Sequence, residues 1–329
     1  MDRQVVDNEP RVRRACHPSC SLAVMEVCVP AAPEHVNAAV FQIWSSIFFH
    51  FFGHYDHAKW CAHFGMSISV VEYCWVRLDS NSPAQFQRVH LLYCFSFAKL
   101  YNSVSVLATM WKVSDDTFSS WLWRTWTALA AALNEIHLDA RLHDELDPSG
   151  YLAVDTKFCY FSVDRTDWDY QKLFFSGHKQ THGLKYQVGV HGKDGRFHTC
   201  SVSYRGADDD LNILRFSRLL ERLDPDESFW GDKAYCSAAN CWAPFKRDHV
   251  LTPLEHIWND YQKRVRVIVE NSIGRLCKFG FLHQRWHHTR EQHELVFITC
   301  VHITNVDIRL HPLRVGREEG AYADSDEDE

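Results

Sequence analysis

Residues 36–146 place apolar side chains at helical intervals, and Asp147-Pro148-Ser149-Gly150 ends that pattern abruptly. Beyond the break the apolar residues alternate as in β-strands. This switch of period constrains the chain most, because a helix-period segment does not settle into a sheet. An all-helical unit followed by an α/β unit is the expected order. The division predicted is a flexible leader over 1–35, an all-helical domain over 36–148, an α/β domain over 149–313 and an acidic tail over 314–329.

Within the helical region, the segment starting at Cys61 echoes the one starting at Ala108, at an offset of 47 residues. Each copy reads as a helix, a tight turn and a serine, Ser67 or Ser114, placed to cap the next helix. That grammar suits a helix-turn-helix. In the second copy Phe118, Trp121, Leu122 and Trp126 are expected to face the core, leaving Arg124 on the outer face as a candidate DNA contact. Asp115 and Asp116 favour the start of a helix but repel phosphate, so the same unit also reads as a structural trihelical module. The apolar run Val40–Phe52 is interrupted by polar residues and too short to span a bilayer, so it is expected to be a buried helix.

After the break, strand patterns cover 151–162, 184–191 and 197–204, the last two joined by a turn at Gly192-Lys193-Asp194-Gly195. A helix over 211–223 follows. Short strands over 228–233 and 249–252 come next, and helices from about Trp258 and Glu291 finish the domain. Three antiparallel strands, a crossover helix, two more strands and terminal helices form the order of a ribonuclease-H-like mixed sheet with flanking helices.

Three acids stand at telling places in that order. Asp155 closes the run Tyr151-Leu152-Ala153-Val154, Asp232 closes Phe229-Trp230-Gly231, and Glu270 follows Val267-Ile268-Val269. Carboxylates gathered at strand ends lose hydration and repel one another. Divalent cations remove that penalty: Mg²⁺ or Mn²⁺ prefers oxygen ligands, and two ions about 3.5–4 Å apart serve phosphodiester displacement. On the helix of Glu270, residues Lys263, Arg266, Gly274 and Lys278 fall on one face, with Val265, Ile268, Ser272, Leu276 and Phe279 on another. Lys263, Arg266, Arg275 and Lys278 are therefore candidate phosphate contacts.

The words around these acids carry a resemblance. Ala153-Val154-Asp155-Thr156, Tyr204-Arg205-Gly206-Ala207-Asp208-Asp209-Asp210, Gly231-Asp232-Lys233-Ala234-Tyr235 and Val269-Glu270-Asn271-Ser272-Ile273-Gly274-Arg275-Leu276 resemble successive motifs of PIF/Harbinger-type DDE transposases. Two departures stand out: Thr156 follows Asp155 directly where the family often has Asp-Gly-Thr, and Gly206-Ala207-Asp208-Asp209-Asp210 replaces Gly-Ser-x-His-Asp. The resemblance implies a catalytic triad of Asp155, Asp232 and Glu270, with Asp210 as an auxiliary metal ligand and two Mg²⁺ (or Mn²⁺) ions as cofactor. It further implies cleavage of DNA at terminal repeats by water, then attack of the released 3′-hydroxyl on a target site. A homo-oligomer, a nuclear location and a Myb-like accessory DNA-binding protein follow from the same resemblance. The alternative is a domesticated DNA- or chromatin-binding protein that keeps the fold as scaffold.

Composition bears on this through distribution rather than totals. The net charge of −7 looks wrong for a DNA-binding chain, yet residues 317–329 hold seven of the acids against Arg317 alone. Residues 258–317 carry ten Lys/Arg against five Asp/Glu, the local positive field that a phosphate surface needs. The 12 cysteines are scattered without a CxxC pair, which points to reduced thiols. Cys16, His17 and Cys20, and the pair Cys236 and Cys241, read as small hydrophobes rather than zinc half-sites.

Overall fold

A computed structural model describes residues 36–139, 152–164, 166–224, 227–245 and 250–313. The leader, the break at 147–150 and the acidic tail lie outside the described residues. The helical region contains α1 (Ala38–Phe52), α2 (His57–Phe64), α3 (Ile68–Asn81), α4 (Arg88–Leu100), α5 (Val104–Met110) and α6 (Asp115–Ala132).

Local chemistry accounts for these boundaries. Asn37, Asp56, Ser67, Ser103 and Ser114 each sit at an N-cap, with a side-chain oxygen accepting a backbone N–H of the first turn. Helix α2 stops at Gly65, whose φ of 76° is the left-handed conformation that glycine adopts without strain. The two expected serine caps are thus in place, and both echoed segments are helix–turn–helix units. On α6, Phe118, Leu122 and Trp126 are buried and Trp121 only half so. The rings of Phe48, Trp60, Phe64 and Trp111 interlock, with Trp60–Phe64 centroids 4.6 Å apart. Their indole N–H groups are not abandoned: Trp60 donates to Met66 O at 2.9 Å and Trp111 to Ser96 Oγ at 3.0 Å.

The sheet is built on β1 (Leu152–Tyr160), which pairs antiparallel with β3 (Thr181–His191) and parallel with β6 (Phe229–Trp230). Strand β6 pairs parallel with β7 (Cys241–Trp242). On the other side, β2 (Phe175–Ser176), β4 (Phe197–Cys200) and β5 (Tyr204–Arg205) all pair with β3. The mixed seven-stranded sheet, flanked by α7 (Trp168–Phe174), α8 (Asp210–Phe216), α9 (Pro253–Leu276) and α10 (Arg290–Leu310), is the ribonuclease-H-like arrangement expected.

Four details differ from expectation. The fifth strand is Cys241–Trp242, not 249–252; residues 250–252 lead instead into α9 through a capping box in which Thr252 and Glu255 exchange hydrogen bonds. Helix α9 consequently begins five residues before Trp258. The third strand divides into β4 and β5 because Ser203 is drawn out of the ladder, its N–H and hydroxyl both donating to Glu294. Helix α8 ends at Phe216, just before Arg218 turns to a φ of 52°.

Helix α10 joins the two regions. It packs on α3 and α6 on one side and on α9 and β4 on the other, and one apolar cluster runs from Phe41 to Ile308. Trp286, fully buried just before α10, stacks on Tyr101 of the helical region at 5.1 Å. Asn305 is 2 % exposed and ties three segments, donating to Glu135 O and Phe197 O and accepting from Phe197 N–H at 2.7 Å. No helix among the described residues is long and apolar enough to cross a membrane.

Candidate active site

Strand β1 carries Asp155 at the sheet's centre, opposite Val188 of β3. Its Oδ1 accepts the Thr156 N–H at 2.7 Å, and its Oδ2 meets the Arg266 guanidinium of α9 at 3.3 Å. Burial raises the Asp155 pKa, and the charges of Asp232 and Asp210 push in the same direction, against Thr156 N–H and Arg266. The three aspartates therefore lie within electrostatic reach of one another.

Asp232 is positioned by a tight turn. It follows β6 and caps the short 3₁₀ turn Lys233–Tyr235, its Oδ1 accepting the Ala234 N–H at 2.8 Å. Gly231 precedes it because there is no room for more: a Cβ would come within 2.8 Å of both Cys241 Sγ and Tyr235 Cβ. The Gly231 carbonyl accepts from Gln262 of α9 at 2.6 Å, fastening that helix to the turn. Tyr235 reaches back to β1, its hydroxyl 2.8 Å from Thr156 Oγ1. Burial raises the Tyr235 pKa, with the charges of Asp210 and Asp155 adding to it, so the phenol stays protonated beside the carboxylates.

The run Asp208-Asp209-Asp210 divides its work. Asp208 pairs with Arg205 at 2.9 Å, Asp209 caps α8, and Asp210 pairs with Lys185 of β3 at 3.1 Å. Of the three, Asp210 is the one whose charge is felt by both Asp155 and Tyr235.

Glu270 is exposed on α9, four residues beyond Arg266 and so on the same face. Arg266 pairs with Asp155 across the site rather than with Glu270 along the helix. Among the described residues, no three of Asp155, Asp210, Asp232 and Glu270 bring ligand atoms within 4.8 Å of one another.

The candidate DNA contacts separate into two groups. Lys263 and Arg124 are exposed, the latter lying over Trp121 at 4.5 Å. Arg275 and Lys278 instead converge on Asp307 of α10, at 3.0 and 2.9 Å. Asp307 is 2 % exposed, so both cations serve the contact between α9 and α10. Lys278 also lies beyond the last residue of α9. The sequence alone assigns no role to Tyr235, Gln262 or Thr156, nor the pairing of Lys185 with Asp210. For Tyr235 a signal existed: three residues after Asp232 in a 3₁₀ turn, it shares that residue's side.

No curated protein and no solved structure matches the chain. Residues 158–305 match the DDE superfamily endonuclease family, a span that includes Asp210, Asp232 and Glu270 and begins three residues after Asp155. That segment of the chain is of the DDE transposase type.

Proposed function

We propose that the chain is a metal-dependent DNA nuclease of transposase type, in which Asp155, Asp232 and Glu270 hold Mg²⁺ or Mn²⁺ and Asp210 assists. The observation that carries this reading is that Asp210 at the start of α8 and Asp232 in the turn after β6 lie within electrostatic reach of Asp155 on the central strand, where burial and their repulsion raise its pKa. An all-oxygen donor set of this kind fits a hard cation. Bound metal would supply Lewis-acid stabilisation of phosphate charge and a lowered pKa for nucleophilic water. The chain's own groups do the positioning. Gln262 and Tyr235 fix the turn of Asp232, and Lys185 orients Asp210. Arg266 compensates Asp155 as a resident cation, and with metal bound its guanidinium would be available to a phosphate beside that carboxylate. Lys263 and Arg124 are left for phosphates further along the duplex.

Strand transfer to a target site, action as a homo-oligomer with a Myb-like DNA-binding partner, and work in the nucleus belong to the same proposal. Cleavage of terminal-repeat DNA by the purified protein, with and without such a partner, in Mg²⁺, Mn²⁺ or EDTA, tests it. A second reading, a DNA- or chromatin-binding protein without catalysis, is favoured by one observation: Asp155 is paired with Arg266, and among the described residues no three of Asp155, Asp210, Asp232 and Glu270 bring ligand atoms within 4.8 Å of one another. Binding without nicking in either metal is the outcome that selects it.

A further inference from the structure

At the far end of β3, away from the carboxylates, the hairpin to β4 gathers a second set of ligand-type side chains. His191 pairs with Leu152 of β1, three residues before Asp155, which is about 10 Å along a strand. Between the pairs Gly189–Thr199 and Val190–Phe197 the ladder slips, leaving His198 as an extra residue on β4. Such a bulge re-aims a side chain. Here it sets the His198 ring 5.3 Å from that of His191. Asp194, in the turn between them, completes a group whose ligand atoms all lie within 4.8 Å of one another.

We infer that His191, Asp194 and His198 form a binding site for a single transition-metal ion of the Zn²⁺ class. The donors are two imidazoles and a carboxylate, a set that suits zinc better than the oxygen-preferring ions of the candidate active site. His198 is 4 % exposed, and its Nδ1 donates to the His137 carbonyl at 2.7 Å. That hydrogen bond fixes the tautomer and leaves the lone pair on Nε2, the arrangement in which a ligating histidine is held by a backbone carbonyl. The Nε2 is buried without a hydrogen-bond partner, an orphaned acceptor that a cation would satisfy. Burial lowers the His198 pKa to about 4, so the ring is neutral at pH 7. Asp194 is ionised there: burial pushes its pKa up, but hydrogen bonds from His191 and Arg196 outweigh it. His191 Nδ1 lies 3.3 Å from Asp194 Oδ1, and Arg196 pairs with the other carboxylate oxygen. Arg196 is half-exposed and free to turn outward when the ion arrives. Bound metal would lock the β3–β4 hairpin, to which Asn305 anchors α10.

The test is zinc stoichiometry of the full chain after equilibration with Zn²⁺ and desalting, together with the visible spectrum of the Co²⁺-loaded protein. Wild type should hold one equivalent more than His198→Gln and His191→Gln, and only wild type should show the absorption of Co²⁺ in a low-symmetry nitrogen and oxygen site. Asp194→Asn, which keeps both imidazoles and the hairpin's size, should weaken Zn²⁺ at least tenfold. Equal zinc content in wild type and folded His198→Gln overturns the site. If His198→Gln does not fold, unchanged Zn²⁺ affinity in Asp194→Asn overturns it instead. None of these readouts depends on DNA cleavage, so they stand apart from the nuclease reading.

Discussion

Asp155, half-buried, and Asp307, buried, are both carboxylates beside arginine, yet their surroundings push them in opposite directions. For Asp155, burial and two neighbouring aspartates outweigh Arg266, so its folded pKa lies above the ordinary value. An acid with a raised folded pKa costs stability wherever it is ionised, and the cost disappears as pH falls below the unfolded value. Asp155→Asn should accordingly stabilise the protein slightly in EDTA at pH 7, by under about 1 kcal/mol, seen as a small rise in melting temperature that vanishes near pH 3. For Asp307, burial raises the pKa, but Lys278 and Arg275 together hold it below the ordinary carboxylate range. Its contribution is present above the unfolded pKa and lost as pH falls through the folded one. Asp307→Asn leaves two cations facing a neutral amide and should cost about 3–5 kcal/mol at pH 7. Melting of both proteins over pH 2–7 checks the sign, since the difference should shrink only in acid.

Turns and caps decide how the elements present these residues. Gly231→Ala forces a Cβ against Cys241 and Tyr235, so it should displace Asp232 and impair cleavage while the protein stays folded. Normal activity in a folded Gly231→Ala protein would count against a turn that aims Asp232. Much at this scale is legible from sequence. The serine caps, the strands through Asp155 and His191, and the hairpin turn all follow from local chemistry, because cap and turn residues act within three or four positions. Other features do not. The pairing of Arg266 with Asp155 spans 111 residues, and that of Arg275 and Lys278 with Asp307 spans 32 and 29. A helical face in sequence shows which residues travel together but not which partner they meet. The fifth strand was misplaced for a related reason: a two-residue strand carries too few alternations to stand out, and the apolar residues after it lead into a capped helix.

In the whole molecule the change of period near residue 150 separates classes of element but not hydrophobic cores. The sequence suggests that residues 36–146 fold alone, whereas Trp286 and α10 complete the apolar cluster that those helices share. The fragment should therefore be helical by circular dichroism yet lack a sharp melt. Trp286→Ala in the full chain should cost about 3–5 kcal/mol, lowering a single transition. A fragment that melts as cooperatively as the full protein would restore the autonomous domain. The acidic segment 317–329 follows a basic stretch, so its deletion should strengthen binding to random duplex at low salt, and by less as salt rises.

The claim on which the rest hangs is that the carboxylates of the sheet's centre work as metal ligands on DNA. The direct measurement is nicking of supercoiled or terminal-repeat DNA by wild type, Asp155→Asn, Asp232→Asn and Glu270→Gln, each in Mg²⁺, Mn²⁺ and EDTA, with folding followed by circular dichroism. Wild type should cleave only with metal. Each folded variant should lose cleavage while keeping its DNA affinity, because phosphate contacts are separable from metal chemistry. Wild type that binds DNA but never nicks it, or variants that nick as well as wild type, would contradict the account.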